Sequence, residues 1–169
     1  MINIVLIEPE IPQNTGNIMR TCVATNAKLH LIKPLGFSLE EKKLRRSGVD
    51  YIDKLDYIVY ENINDFLDKN KGEYYFFTRY AHKPHSAYNY SDTSKDYYLF
   101  FGKESTGIPK DILKPHLNTC ARMPMSDNVR SLNLSNTVAI AIYEVLRQQD
   151  YVGLMFDEPH KSKTEIENS

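Results

Sequence analysis

The sequence predicts a single α/β domain built on a parallel sheet. Short runs of β-branched and aromatic residues alternate with helical patterns along the chain, and this alternation is typical of parallel strands joined by helices. The length of 169 residues, 41% of them hydrophobic, is enough for one sizeable core. No internal repeat, low-complexity linker or change in composition divides the chain.

The spacing of apolar residues predicts the individual elements. Clusters of β-branched and aromatic residues predict strands at residues 2–7, 28–32, 57–60, 74–78, 97–101 and 119–123. Helical patterns are found at residues 16–26, 40–46 and 62–69, and Pro109 suits the first turn of another helix.

The last helix is the clearest element and is expected to end near Gln149. Asn133 or Ser135 is available to cap its N-terminus. Helical spacing forms an apolar stripe from Leu134, Val138, Ala141, Val145 and Leu146.

Several common α/β functions are disfavoured by motifs that the chain lacks. No G-x-G-x-x-G follows the first strand, and the Gly-Lys pair of FGKES lacks the upstream glycine of a P-loop, so a dinucleotide-binding dehydrogenase and a P-loop NTPase are both disfavoured. His82 and His85 have no further ligands at a suitable spacing, and we expect no metal site. Cys22 and Cys120 are isolated, which predicts reduced thiols packed as small apolar side chains.

The charge distribution leaves nucleic-acid binding open. A net charge of −1 weighs against RNA, because phosphate backbones are bound by clustered Lys and Arg. A basic run with Lys42, Lys43, Arg45 and Arg46 is either a local patch, which a dimer would double, or a solvated helix face. The start MINIVLIEPE has no basic n-region and too short an apolar run for a signal peptide or a membrane span, so we expect a cytoplasmic protein without membrane contact.

Three loops after predicted strands are rich in polar residues and glycine. In an open parallel sheet, ligands bind beyond the carboxyl ends of the strands. The first loop, EPEIPQNTGNIMR, follows the first strand and places Asn17 and Arg20 on one face of the entering helix. An amide and a guanidinium at a helix N-terminus suit a phosphate or a ribose. An N-cap beside a surface arginine is the alternative.

The second and third loops follow the fifth and sixth predicted strands. The second, LFFGKESTGIP, contains Gly102 and Gly107, which permit close backbone approach to a ligand such as adenosine, although paired glycines also occur in simple turns. The third, RMPMSDNVRSLNLSN, contains Arg130, Ser131 and Asn133 and holds more polar donors than helix capping alone needs.

Together the loops resemble, in order and spacing, the three motifs of the SPOUT class of RNA methyltransferases. The chain is most similar to the small tRNA 2′-O-methyltransferases that modify the wobble nucleotide of the anticodon, in which NTGNIxR, FGxExxGxP and MPMxxxxRSLNLSN recur. The resemblance extends from Met1 to about Tyr151. It implies a SPOUT domain at residues 1–157, with a parallel sheet, helices on both faces and a C-terminal trefoil knot. Residues 158–169 are expected to form a disordered polar tail.

The resemblance also implies the cofactor and the partners. Members of the class bind S-adenosylmethionine within the knot, form S-adenosylhomocysteine as product, and work as homodimers whose active sites use both chains. The anticodon stem-loop of tRNA is the expected substrate. Apolar walls for the adenine are expected from Leu99, Met123 and Leu132. By resemblance the cofactor is contacted, largely through backbone groups, at Thr78, Gly102, Glu104, Met123 and Ser131.

The first motif assigns the catalytic role to Arg20. A guanidinium almost never loses its proton in proteins, so we expect Arg20 to hold the phosphate beside the acceptor ribose and to favour the developing alkoxide, not to act as a base. Asn17, Ser131 and Asn133 are expected to hold the 2′-hydroxyl. Phosphate contacts are expected from Arg130, Arg45 and Arg46. Two alternatives remain open: an RNA-binding module without catalysis, and methylation of another RNA position or of a base.

Overall fold

A fully parallel sheet forms the centre of the molecule. The structure is a computed structural model and describes residues 1–40 and 51–158. The strands of the sheet are β1 Ile2–Ile7, β2 Lys28–Ile32, β3 Tyr57–Tyr60, β4 Glu73–Phe77, β5 Tyr97–Phe101 and β6 Cys120–Ala121. They lie in the order β3-β2-β1-β5-β4-β6, and each neighbouring pair is parallel.

The central strands are buried on both faces, and their carboxyl ends lie at one edge. Ile4 of β1 lies opposite Leu29 of β2 and Leu99 of β5, and all three side chains are fully buried. Such burial explains why β5, and β1 apart from Asn3, are apolar runs without alternation. Because every strand runs the same way, the loops that follow β1, β4, β5 and β6 all leave from the same edge of the sheet.

The α-helices in the described part of the chain cover both faces of this sheet. They are α1 Pro12–Thr25, α2 Ile63–Lys69, α3 Lys110–Leu113 and α4 Leu134–Gln148. On one face, Ile18 of α1 and Ile142 of α4 share a buried cluster. On the other face, Phe66 of α2 and Leu113 of α3 pack with Phe100 of β5. Helices on both faces, as the resemblance implied, are therefore present.

The apolar stripe of the last helix belongs to the core. Val138, Ala141, Val145 and Leu146 are all buried, and Asn133 is the N-cap of α4, with its side chain accepting hydrogen bonds from the next turn. From the sequence alone, an apolar stripe on the last helix is also a candidate for part of a dimer contact. Its burial within one chain removes that role and leaves the opposite face of α4 for any partner.

Most predicted elements are confirmed, and the differences have local causes. β1, β2, β3 and β5 have the expected bounds, β4 is shifted by one residue, and β6 is reduced to an edge strand of two residues. α1 begins at Pro12 instead of residue 16, because a proline in the first turn lacks only an N–H that would have no helical partner there. Pro109 is the N-cap of α3 and not its first residue.

Some expectations fall outside the described residues. Glu40, which was expected to begin a helix, is not helical, and residues 41–46, with Arg45 and Arg46, lie outside the described ranges. The same holds for residues 159–169, so the domain boundary and the disordered tail stay predictions. No helix in residues 1–40 and 51–158 is long and apolar enough to cross a membrane. Cys22 and Cys120 are buried free thiols, as expected.

A buried histidine lies on the face of the sheet covered by α2. One ring nitrogen of His30 is 3.0 Å from the hydroxyl of Tyr60, and the other is 3.0 Å from Oδ1 of Asn3. Burial, reinforced by the charge of Lys28 and opposed by Asp56, lowers the pKa of His30 to about 4. The folded protein therefore holds this imidazole neutral at physiological pH.

Candidate active site

The three polar loops meet at the carboxyl edge of the sheet and enclose a cavity of about 540 Å³. This volume is within the usual range of small-molecule sites. The cavity is lined by the residues after β4 and by residues of all three loops, with Ile11 and Asn14 from the first loop. Of the predicted site residues, it is lined by Thr78, Gly102, Glu104, Met123, Arg130, Ser131 and Asn133.

Ion pairs and hydrogen bonds join the first loop to the second. Nζ of Lys103 lies 2.6 Å from Oε2 of Glu8. The backbone N–H and the hydroxyl of Ser105 both donate to the carboxylate of Glu10, each at 2.9 Å. The Glu8 ion pair raises the pKa of Lys103, so this lysine stays protonated and its charge is neutralised by Glu8. The two loops are therefore held in one arrangement.

The carboxylate of Glu104 completes this connection. It accepts hydrogen bonds from the backbone N–H of Glu10 at 2.9 Å and of Ile11 at 3.1 Å, and from the side-chain amide of Asn14 at 3.1 Å. Partial burial by itself would raise the pKa of Glu104, but these donors outweigh it and the pKa is lowered. The carboxylate is thus ionised and points at the start of α1.

Asn14 extends the network to the third loop. The amide nitrogen of Asn133 donates to Oδ1 of Asn14 at 2.9 Å. Oδ1 of Asn133 accepts from the backbone N–H of Ser135 at 2.9 Å and from its hydroxyl at 2.6 Å. One continuous chain of polar contacts, Glu104 to Asn14 to Asn133, therefore ties all three loops to the N-terminus of α4.

The two glycines of the second loop are required for different structural reasons. A Cβ on Gly102 would lie 2.0 Å from the carbonyl carbon of Gly107 and 2.1 Å from the nitrogen of Ile108, which no side chain can avoid. Gly107 has a φ of 75°, the left-handed region that favours glycine, and its N–H donates to the carbonyl of Lys103 at 2.8 Å. The close approach expected at Gly102 is therefore to the loop's own backbone, which closes the turn.

The apolar walls of the cavity differ in one position from the expectation. Met123 and Leu132 line it, as predicted. Leu99 does not: it lies in the middle of β5, fully buried in the core, two residues before the carboxyl end of the strand. Phe101, the last residue of β5, lines the cavity. The correction follows from strand geometry, because only residues at the end of a strand face a site beyond it.

Arg20 and Asn17 lie elsewhere. Both are exposed on one face of α1, as their spacing predicted, but neither is among the residues that line the cavity. Asn14, on the same helix, does line it. Arg20 is six residues further on, which rotates its side chain by about 240° around a helix of 3.6 residues per turn. The guanidinium carbon of Arg20 lies 5.7 Å from the ring centroid of Tyr51.

Sequence reasoning missed a fourth segment at this edge. Arg79 and Tyr80, directly after Thr78, and Arg122, after β6, also line the cavity. The signal was available for Arg79 and Tyr80, because they follow the predicted strand 74–78 of the same parallel sheet. Arg122 falls within the predicted strand 119–123 and begins the third loop. The segment directly after Thr78 has neither glycine nor clustered amides to mark it as a ligand-binding loop. Within the described residues, no group of three or more His, Cys, Asp or Glu side chains is arranged to hold a metal ion.

Comparison with known proteins identifies the family. Residues 1–143 match the SpoU rRNA Methylase family. The chain is 42% identical over 155 residues to the tRNA (cytidine(34)-2'-O)-methyltransferase of Escherichia coli (strain K12), covering 90% of this chain and 97% of that relative. A Bacillus anthracis protein of known crystal structure is 50% identical, with a TM-score of 0.91 over 94% of this chain and all of that one.

A second solved structure is described as giving "Structural insights into the 2-OH methylation of C/U34 on tRNA". It is 37% identical to this chain, covers 89% of it and 97% of its own length, and has a TM-score of 0.80. Both the match over most of the chain and the identities to full-length relatives lead to the same conclusion: the chain belongs to the SpoU methylase family.

Proposed function

We propose that the chain transfers a methyl group from S-adenosylmethionine to the ribose 2′-hydroxyl of the wobble nucleotide of tRNA, a cytidine or a modified uridine. The observation that carries the proposal is the cavity at the carboxyl edge, enclosed by the loops that bear the second and third motifs. The E. coli relative, named as a tRNA (cytidine(34)-2'-O)-methyltransferase, supports this substrate.

The cavity fits S-adenosylmethionine, whose adenine needs apolar walls and whose ribose needs polar partners. Met123 and Leu132 supply the walls, while Thr78 and Ser131 supply hydroxyl groups. The backbone of Gly102 borders the same space. The carboxylate of Glu104 is engaged by three donors of the first loop, so we assign it the positioning of the loops and leave cofactor contact to its backbone. When bound, the cofactor supplies an electrophilic methyl group.

The residues of this chain then act mainly by positioning the acceptor. Arg20 holds a phosphate beside the acceptor ribose and favours the developing alkoxide, and Asn17 on the same helix face assists it. Ser131 and Asn133 border the cavity and orient the 2′-hydroxyl. The amide nitrogen of Asn133 carries two protons, of which Asn14 takes one, so one remains for RNA. Arg130, exposed at the cavity, contacts a phosphate.

We also propose that the working unit is a cytoplasmic homodimer. Arg20 and Asn17 lie on a face of α1 outside the cavity, so a second copy is needed to bring such a face to it. Apolar side chains are exposed at Tyr143 on the outer face of α4 and, after the helix, at Met155 and Phe156. Burial of these side chains would stabilise association. We include the trefoil knot in this proposal. The path of the chain that supports it is the return of the third loop from the edge strand β6 to α4, which packs against α1.

Complementation between two inactive variants tests the shared site. Gly102→Val forces the second loop out of its turn and so disables the cavity, and Arg20→Ala removes the guanidinium on α1. If each site uses Arg20 of one copy and the cavity of the other, an equal mixture of the two variants regains about a quarter of wild-type activity, because half the dimers are mixed and each has one intact site. Absence of recovery from folded, exchanging variants would place the whole site in one chain.

Mapping the methylated nucleotide tests the reaction itself. The protein is incubated with labelled S-adenosylmethionine and total tRNA, and the labelled nucleotide is located. We expect label at the wobble position, on the ribose. An anticodon stem-loop with a 2′-deoxy wobble nucleotide should accept none. Label on a base, or at another position, would replace the proposed acceptor, and binding of RNA without any transfer would indicate a non-catalytic module.

A further inference from the structure

A cluster of cationic side chains around one exposed tyrosine lies at the rim of the cavity. We call Arg79, Tyr80, Lys110 and Arg122 the rim cluster. Arg79 and Tyr80 follow β4, Lys110 begins α3, and Arg122 follows β6. Arg79, Tyr80 and Arg122 line the cavity itself. Arg79, Tyr80 and Lys110 lie outside the three motif loops, Arg122 is the first residue of the third loop, and the proposed reaction assigns none of the four a role.

The cluster is held together by specific contacts. The guanidinium carbon of Arg79 lies 5.1 Å, and Nζ of Lys110 5.3 Å, from the ring centroid of Tyr80. Nη2 of Arg79 also donates to the hydroxyl of Tyr80 at 3.1 Å, and this bond, with the two nearby positive charges, lowers the pKa of Tyr80. Nη1 of Arg122 donates to the carbonyl of Arg79 at 2.6 Å. Two cations are therefore held against one ring although they repel each other.

The charge of the cluster is not neutralised within the protein. In residues 1–40 and 51–158, neither Arg79, Lys110 nor Arg122 forms an ion pair with a carboxylate. Lys103, also at the cavity, is paired with Glu8 at 2.6 Å. Unpaired positive charge is thus concentrated at one side of the rim in a chain whose net charge is −1. Such local concentration focuses an electrostatic field on a bound anion.

The chemistry of the rim cluster selects its ligand. Guanidinium and ammonium groups bind phosphate oxygens through charge-assisted hydrogen bonds, and an arginine can contribute two in parallel. Tyr80 holds the two cations in place before binding, which lowers the ordering cost of an anion that bridges them. Arg130, predicted to contact a phosphate, lines the same cavity. A strand that delivers its ribose to the cavity must carry a phosphodiester on each side of that ribose.

We propose that the rim cluster binds a phosphodiester of the tRNA strand that flanks the methylated nucleotide, with Arg79 and Lys110 as the contacting groups. Tyr80 positions both cations, and Arg122 fixes the backbone that carries Arg79. This proposal rests on the proposed function, since it takes tRNA as the substrate. The same anion chemistry also suits the carboxylate of S-adenosylmethionine, and the experiment must separate these two sources.

The test compares two double variants with equal loss of charge. Arg79→Ala with Lys110→Ala removes the contacting groups. Lys54→Ala with Lys71→Ala is the control, because both lysines are exposed and lie just before β3 and β4, at the opposite edge of the sheet. For each protein, tRNA affinity is measured across a range of salt concentrations, and S-adenosylmethionine affinity is measured by calorimetry.

We expect the rim double variant to bind tRNA about tenfold or more weakly, with the slope of log affinity against log salt reduced by about two. S-adenosylmethionine affinity should match wild type, and the control variant should keep the wild-type slope beyond a small general effect. Tyr80→Phe, which keeps the ring, should retain most of the affinity, whereas Tyr80→Leu should lose part of it.

Two results would overturn the proposal. Unchanged tRNA affinity and salt slope in the rim double variant would show that no phosphodiester is bound there. Loss of S-adenosylmethionine affinity with normal tRNA binding would assign the cations to the cofactor carboxylate. Failure of the proposed function is a separate outcome, because it appears in the wild-type protein as an absence of methyl transfer and leaves the tRNA binding measurements intact.

Discussion

The cavity and the outer face of α1 are built in opposite ways. Around the cavity, polar side chains are tied to one another: Glu104, Asn14 and Asn133 form a continuous network that connects three loops. On the outer face of α1, Asn17 and Arg20 are exposed, and the guanidinium of Arg20 packs against the ring of Tyr51. One region is held rigid before any ligand arrives, whereas the other presents its functional groups to solvent.

This difference indicates a division of labour. A preorganised cavity suits a small ligand, because few groups must be ordered on binding. An exposed guanidinium suits a macromolecular substrate that brings its own phosphate. Changes in the cavity should therefore affect cofactor affinity, and changes on the α1 face should affect turnover. Variants in the two regions can break this separation or make it sharper.

The largest effect is expected on the α1 face. Arg20→Ala should lower turnover by about a hundredfold or more, the scale seen when a donor to a developing oxyanion is lost. S-adenosylmethionine affinity should stay at the wild-type value, because Arg20 does not line the cavity. Arg20→Lys should restore little, since a point charge does not reproduce a planar two-pronged contact.

Single-turnover kinetics and calorimetry measure the two quantities. Arg147→Ala is the matched control, an exposed arginine of α4 that pairs with Glu144 at 3.0 Å and should leave both quantities unchanged. If Arg20→Ala weakened cofactor binding as much as turnover, the two regions would not be separate.

The second-largest effect is expected on the pH dependence of stability, through His30 in the sheet that supports both regions. The pKa of His30 is about 4 in the folded protein, below the ordinary value of 6.5, so the unfolded chain binds the proton more readily. Stability is therefore complete above about pH 6.5 and is lost as the pH falls towards about 4, by about 3 kcal/mol in all. Urea unfolding at several pH values measures this loss. His30→Gln should flatten the pH dependence, whereas His82→Gln, at an exposed histidine, should not.

The His30 contribution to stability also defines the pH range in which variants of the two regions can be compared. Above about pH 6.5, loss of activity in a variant reports on the cavity or on the α1 face, because the His30 contribution to stability is intact. An unfolding free energy that stayed constant between about pH 6.5 and about pH 4 in the wild-type protein would contradict the buried neutral imidazole.

The sequence predicted the two regions unequally, and the reason is physical. Strand positions follow from runs of apolar residues, so β1, β2, β3 and β5 were predicted with their observed bounds. The loops after the first, fifth and sixth predicted strands were predicted as the site. The first motif predicts that Arg20 acts on the RNA side and not in cofactor binding, but the direction of its side chain on α1 was not predictable from the motifs. It depends on the rotation of α1 against the sheet, which is determined by the burial of Ile18, Met19 and Cys22.

Long-range side-chain contacts were also beyond the sequence. The hydrogen bonds of Glu104 to the first loop span more than 90 positions of the chain, and no local sequence pattern predicts them. Glycine patterns indicated a tight second loop, but the neighbour of Gly102 is the backbone of Gly107 and Ile108, which only the folded turn reveals.

A smaller effect is expected within the cavity network. Glu104→Gln replaces a carboxylate by an amide. The NH2 group of that amide must face at least one of the three hydrogen-bond donors that the carboxylate of Glu104 accepts from, and a donor cannot bond to a donor. We expect S-adenosylmethionine affinity to fall about tenfold, which corresponds to about 1.4 kcal/mol, together with a lower melting temperature. Calorimetry and thermal unfolding measure both.

Glu144→Gln is the control for this change. Glu144 is a partly buried carboxylate of α4 that bonds to Arg147 and Gln148, and it does not line the cavity. Its substitution should leave cofactor affinity unchanged. Wild-type affinity in a folded Glu104→Gln protein would mean that the network is not needed to form the cavity.

The smallest effect is expected at Tyr51, the partner of Arg20. A cation over an aromatic ring at an accessible site contributes about 0.5–1 kcal/mol, so Tyr51→Leu should lower turnover about two- to fivefold by releasing the guanidinium from its orientation. Tyr51→Phe keeps the ring and should retain wild-type turnover. Tyr57→Leu is the control, because Tyr57 is a partly buried tyrosine of the same apolar cluster and has no contact of this kind with Arg20.

A double-mutant cycle separates positioning from a general loss of packing. If Tyr51 acts through Arg20, Tyr51→Leu should lower turnover in the wild-type background and have no further effect in the Arg20→Ala background. S-adenosylmethionine affinity should be unchanged in all four proteins, because the effect is confined to the α1 face. Equal losses in both backgrounds would show that Tyr51 only supports the fold, and the exposed guanidinium would then owe its orientation to the RNA alone.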